Sequence, residues 1–350
     1  MKTKIIVDEI SLESYPYAYA RVATMKGRLL KKEDYDKLRK MKLAEIAKFL
    51  EESEYKREID ELSVSYGGAS LLDMALNKNL VRTIEKVRKI SSEELRQLID
   101  AYLMRITIRS VKMLLRAKYA KLGKEEMKKE LLYGTGDEKL FGRLADADSV
   151  EEFLNRLGFT KTEKFKKAVE YYKSSNSISL IENSLDNHYY KWLTGFLGKV
   201  SESASREILL REIDLINIKT IIRLKQEGVG TAIIKQYVLS GHRLKAQFLE
   251  QMLEAKNSGE IATLLKKTIY GNLVSKYIDE LENNKYVNFE IALDKSLLGE
   301  AQKLMRKNPL SAEVILGYIM AKEIEVRNIN VIIKSRLLNM PEDVVSRLLI

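Results

Sequence analysis

No cysteine occurs among the 350 residues. Disulfides, zinc–thiolate sites and a cysteine nucleophile are therefore excluded, and the absence suits a reducing cytoplasm. Proline is almost missing too, with 3 residues against 17 glycines. β-Branched alternation is scarce, and residues of high helix propensity dominate, so the composition predicts an all-α chain. Few prolines, no cysteine and many Lys and Glu also suit a heat-adapted protein. There are 2 histidines, His188 and His242, and neither has a second histidine at i+3 or i+4 with which to share a metal. No apolar run approaches the roughly 20 residues of a membrane span. The longest, Val314 to Met320, is short and contains Gly317. The first residues turn acidic at Asp8 and Glu9 before an apolar core develops, unlike a secretory signal. These absences predict a cytoplasmic protein, soluble or docked on something, without a metal or cofactor.

What is present is charge and helix periodicity. The chain is 45% hydrophobic and 32% charged, enough for a large core and two or three domains. Its formal charge of +11 favours nucleic acid, an anionic membrane surface or an acidic protein as partner. Residues 317–334 read as one amphipathic helix, with Met320, Ile324, Val331 and Ile332 on one face and Glu323, Arg327, Asn330 and Lys334 on another. Asn328 falls inside the apolar stripe, where an amide must find hydrogen-bond partners or cost stability. Residues 212–223 repeat the pattern with Asn217 at the corresponding place. Residues 105–116 repeat it more loosely, with Ser110 there.

Earlier in the chain, Tyr15-Pro16 predicts an extended entry to a first helix that runs to Leu30. A charged break follows at 31–35, where Asp34 is a candidate cap, and then helices over 38–50, 71–90 and 93–122, the last closed by Gly123. Gly27, Gly134 and Gly241 stand 107 residues apart. Glu45, Glu152 and Glu260 each open a similar short helix and precede Ser110, Asn217 and Asn328 by 65, 65 and 68 residues. Residues 75–77, 184–186 and 292–294 also correspond. A period above 100 residues has the size of a small domain and exceeds a solenoid unit of about 20–50 residues. The expectation is three similar helical domains, 1–123, 124–230 and 231–350. Three copies in one chain can close as a cyclic trimer does, with a space on the axis.

Catalytic chemistry finds little purchase. Gly134 to Lys139 shares only glycines with a phosphate loop, and no Gly-Lys-Ser/Thr opens a helix anywhere. It reads as a turn between copies. Glu212 with Asp214, and Glu323 with Glu325, are two residues apart on a helix and point to different faces. They suit pairing with Arg and Lys of neighbouring helices better than a shared proton. The sharpest charge feature is the stripe Arg105, Arg109, Lys112 and Arg116, at i, i+4, i+7 and i+11, with no acidic residue from Ala101 to Gly123. Such a stripe is either a solvated face or a contact for an anionic partner, such as phosphate, acidic lipid or acidic side chains of a neighbouring protein. No nucleic-acid module accompanies it. Lys219, Arg223, Arg327 and Lys334 extend the candidate contact to the other two copies.

Three stretches carry a resemblance: Tyr17 to Leu30, Arg211 to Lys219, and Ala321 to Ile329 followed by Asn339 to Asp343. Together they resemble the C subunit of archaeal-type (A/V-type) ATP synthases, the counterpart of the d subunit of eukaryotic vacuolar ATPases. Length and three-part organisation agree over nearly the whole chain. The first copy departs, since residues 105–110 lack the acidic and Asn positions of the other two. The resemblance implies a non-catalytic rotor part, a funnel of three similar helical domains with an axial opening. It would sit peripherally on the cytoplasmic side of the membrane, on the proteolipid ring, and receive the foot of the central stalk. It would pass torque between ATP turnover and ion movement. It implies no cofactor, small-molecule substrate or nucleic acid. The alternative from another class, suggested by the charge, is a basic all-helical nucleic-acid-binding protein.

Overall fold

The computed structural model describes residues 15–123, 127, 138–157, 162–200, 204–239, 244–307 and 309–350. Among them there is no β-strand, and nineteen helices account for the regular structure. The all-α expectation holds. No helix among the described residues is long and apolar enough to cross a membrane. The described residues fall into two compact units. One spans Thr162–Lys303, the other Leu12–Lys161 with Leu304–Ile350.

In the second unit the chain opens with α1 (Pro16–Lys26), α2 (Lys32–Leu38), α3 (Leu43–Glu51) and α4 (Lys56–Leu62). Pro16 starts α1, where its missing N–H costs nothing. Asp34 lies in the first turn of α2, where it accepts a 2.9 Å bond from the Lys31 main chain as the N3 residue. The charged break at 31–35 is therefore the start of a helix. Two long helices follow, α5 (Gly68–Lys89) and α6 (Glu93–Tyr119). Ser92 caps α6. The stop of α6 precedes Gly123: Lys121 takes the left-handed conformation at φ 59°, and the Leu122 N–H returns to the Ala117 carbonyl at 3.0 Å. α7 (Glu138–Ala145) and α8 (Val150–Arg156) pack against α6.

The other unit holds α9 (Glu163–Ser175), α10 (Ser179–Leu197), α11 (Ala204–Gln226), α12 (Thr231–Tyr237), α13 (Ala246–Glu254), α14 (Ser258–Leu265), α15 (Gly271–Val274), α16 (Ile278–Glu282) and most of α17 (Val287–Lys307). Its core joins Ile218, Ile221 and Ile222 of α11 to Ile234, Met252, Ile261, Leu265, Phe289 and Leu293. All of these are withdrawn from water, and each buried aliphatic or aromatic side chain is worth roughly 1.5–3 kcal/mol of transfer free energy.

The chain ends in α18 (Ala312–Leu337) and α19 (Glu342–Leu348), within the second unit. α18 packs on α1, α2, α5 and α19, and 16 of its 26 residues are buried. It is therefore an interior helix, enclosed on several sides. Of the apolar face read from periodicity, only Ile332 is buried, and Met320, Ile324 and Val331 are partly open. The buried side carries Lys322, Glu325, Asn328, Ile329, Ile332 and Ile333.

Candidate functional site

Three long helices of the second unit, α5, α6 and α18, enclose a cleft of about 390 Å³. α5 contributes Asp73, Asn77 and Leu80 at i, i+4 and i+7. α6 contributes Ile106, Arg109, Ser110, Met113 and Leu114. α18 contributes Glu323, Val326, Arg327, Asn330, Val331 and Lys334. Each set recurs at helical spacing because one face of each helix looks into the cleft. The floor is apolar and the rim charged, with Arg109, Arg327 and Lys334 against Asp73 and Glu323.

The cationic stripe of α6 divides. Arg105 is taken up within the chain: it pairs with Glu323, donates to the Tyr102 hydroxyl at 2.6 Å and lies 4.5 Å over the Tyr102 ring. The Tyr102 hydroxyl also donates to Glu323. Arg109 stands 3.8 Å from Glu323 and is 53% exposed, so it presents its guanidinium to the cleft. Lys112 is half-buried and Arg116 exposed, and neither lines the cleft. Burial pushes the Asp73 carboxyl up from its ordinary value, while Lys334 and Arg109 pull it down.

In the other unit the charges are matched in a ladder between α11 and α17. Arg211 pairs with Glu300, Lys219 with Asp294, and Arg223 with Glu290. The Glu290 contact is a two-pronged Arg–carboxylate fork, which holds the Arg223 proton more firmly than usual. Lys219 and Arg223 are thus structural partners inside this unit.

The buried polar residues of α11 and α18 follow one plan. Asn217 accepts from the Leu239 N–H at 2.8 Å and donates to the Leu239 carbonyl at 3.2 Å. Asn328 does the same to Ile350, at 3.0 and 2.9 Å. Both partners lie 22 residues downstream. Ser110 instead donates to Ile106 of its own helix at 3.1 Å. Three residues before each Asn stands a buried carboxylate. Asp214 accepts from the Leu244 N–H at 3.0 Å and from the Tyr270 hydroxyl at 3.1 Å. Glu325 accepts from the Leu30 N–H at 2.5 Å and from the Tyr55 hydroxyl at 2.6 Å. Glu325 is further neutralised by Lys322 at 2.7 Å, whose ammonium lies 4.0 Å over the Tyr55 ring. Burial, then the nearby carboxylate, pushes the Tyr55 and Tyr270 hydroxyls up, so both remain donors. Of the two carboxylate pairs, Glu323 meets an Arg of a neighbouring helix, whereas Asp214 and Glu325 serve main-chain and tyrosine donors. That role had no local signal, because the donors lie far away in sequence.

Among the described residues no group of His, Cys, Asp and Glu is placed to hold a metal ion. His188 is half-buried, and burial followed by Lys191 lowers its pKa. Gly134, Gly241 and His242 lie outside the described residues. Gly27 sits at the C-terminal cap of α1.

The described residues thus form an all-helical protein with a charged cleft between three long helices. The profile of the ATP synthase (C/AC39) subunit family matches residues 18–348. The A-type ATP synthase C subunit of Methanococcoides burtonii is 32% identical over 345 residues, covering 97% of this chain and 95% of that protein. Those of Haloquadratum walsbyi and Methanosarcina acetivorans are 32% and 33% identical, over 93% and 92% of this chain and 95% and 89% of their own lengths. The chain belongs to the ATP synthase (C/AC39) subunit family, and is a component of an A/V-type ATP synthase.

Proposed function

We propose that the chain is a non-catalytic rotor part, a socket that joins the central stalk to the proteolipid ring on the cytoplasmic side of the membrane and passes torque between them. Its three helical copies form a funnel, and the stalk foot sits at the axial opening. The observation that carries the reading is the cleft walled by α5, α6 and α18. An apolar floor with a mixed charged rim suits a joint that carries load yet assembles and comes apart, since non-obligate interfaces are about as polar as the remaining surface. Arg109, Arg327 and Lys334 are the contacts for acidic groups of the stalk. Arg116 and Lys112 extend the same helix, Arg105 braces the cleft through Glu323, and Lys219 and Arg223 hold the other unit together.

The test is binding of the isolated stalk proteins to wild type and to the Arg109→Glu/Lys334→Glu double variant across a salt series. Affinity falls about tenfold or more at low salt, and the gap narrows at high salt as screening removes the charge term. Equal affinity at every salt concentration, with the fold intact, refutes the cleft as the socket. Duplex DNA in the same series checks the nucleic-acid alternative, which requires tight, steeply salt-dependent binding.

A further inference from the structure

α11 and α18 carry the same buried device, but its far ends lie at opposite places along the chain. Asp214 reaches forward to Leu244 and Tyr270, 30 and 56 residues on. Glu325 reaches back to Leu30 and Tyr55, 295 and 270 residues away. Leu30 and Tyr55 hold the same places in the first copy as Leu244 and Tyr270 in the third: a leucine three residues after the landmark glycine, then a tyrosine 25 or 26 residues further on. The correspondence continues on the next long helix. Arg223 pairs with Glu290 of α17. Lys334, at the equivalent place six residues after its Asn, faces Asp73 of α5, whose carboxyl feels its charge. Two assemblies therefore have one construction, a final helix bracketing a leucine N–H and a tyrosine hydroxyl and matched by charge to a long helix.

We propose that this carboxylate–amide pair is a helix-exchange latch. α11 completes the third copy, which follows it in the chain, and α18 returns to complete the first. The latch needs a buried carboxylate because it must hold a main-chain N–H and a phenol together at one point without water. A bond to a charged acceptor in such a place is about twice as strong as a neutral one. Asn217 and Asn328 add the second hold, on the stretch of chain that leaves each helix. Leu239 and Ile350 are equivalent in this device, which makes α12 the counterpart of α19. α6 has Thr107 and Ser110 at the two latch positions, so the device is present in two of the three final helices. The inference stands on buried geometry alone and does not depend on the stalk-binding reading.

Hydrogen exchange of the full chain, read by mass spectrometry, tests it in four variants: Glu325→Gln, Tyr55→Phe, Asp214→Asn and Tyr270→Phe. Glu325→Gln and Tyr55→Phe speed exchange over residues 27–62, by about tenfold or more at the Leu30 amide for Glu325→Gln, and leave residues 244–282 as in wild type. Asp214→Asn and Tyr270→Phe do the reverse. Should a carboxylate variant fail to fold, the two Tyr→Phe variants, each missing one hydroxyl, decide by the same crossover. The latch is refuted if the Glu325 and Tyr55 changes loosen only residues 312–350, or if either pair loosens both segments equally.

Discussion

At the scale of the residue, burial decides what a charge does. Glu323 and Glu325 are two positions apart on one helix, yet one meets Arg105 and Arg109 at a cleft and the other is enclosed with Lys322, Leu30 and Tyr55. Asp73 is the opposite case, a carboxyl that burial penalises more than its cations relieve. Its pKa is raised in the folded state, so folding disfavours its charged form relative to the unfolded chain. The stability it contributes is full below the unfolded value and is lost as pH rises through the folded one. Asp73→Asn is accordingly expected to raise the unfolding midpoint at pH 7, and the gain should vanish at pH values below the ordinary Asp range. Thermal unfolding of both proteins at the two pH values checks this, and a lower midpoint at pH 7 would show that the attraction to Lys334 and Arg109 outweighs burial. Asn217 and Asn328 were legible in the sequence, because an amide inside an apolar stripe demands partners. The demand identifies neither partner, and Leu239 and Ile350 follow only from where the chain turns after each helix.

At the scale of the element, short helices carry more of the architecture than their sequence signals suggest. α2 and α4 are seven residues each, too short for periodicity to distinguish from a charged loop. α4 begins just after Tyr55, one of the two donors to Glu325. Its counterpart α15 begins at Gly271, one residue after Tyr270. A Cβ at Gly271 would stand 2.3 Å from the Lys266 carbonyl oxygen, a main-chain atom that cannot swing aside. Gly271→Ala should therefore displace the turn that presents Tyr270 to Asp214, at a cost in the ~1–3 kcal/mol range of overpacked sites. Urea unfolding measures the cost, and a wild-type midpoint would mean that the turn relaxes freely. α18 shows why a long helix is misread by a single stripe. One side of it carries the buried polar pair and another lines the cleft, so apolar and charged residues recur on more than one face.

At the scale of the whole molecule, the net charge of +11 does not say which cations face outward, because many are paired with anions of the same chain. The α11–α17 ladder and the Arg105–Glu323 pair remove several cations from the available surface, which makes net charge a poor guide to partner. Exposed pairs such as Arg57–Glu61 add little, since surface ion pairs are worth about 0–1 kcal/mol. The chain has no Gly-Lys-Ser/Thr phosphate loop, and its described residues hold no metal-binding group. The proposed non-catalytic role predicts that the purified protein turns over no ATP and keeps its unfolding midpoint in EDTA. Turnover that persists through rigorous purification, or a chelator-induced loss of stability, would contradict this.

Helix propensity and the near absence of breakers were enough to determine an all-α chain, because helix formation depends on hydrogen bonds four residues apart. The recurring Asn and its preceding acid were likewise visible as a local pattern. The tertiary structure alone decided what that pattern holds. Leu30 and Tyr55 meet Glu325 across 295 and 270 residues, and Arg105 meets Glu323 across 218. Such pairings depend on which helices pack together and leave no trace in local spacing. The same packing sorted the candidate cations, pairing Lys219 and Arg223 across α11 and α17 and setting Arg109, Arg327 and Lys334 in the lining of the cleft. Which residues can act on a partner is set by what the fold has already buried or paired.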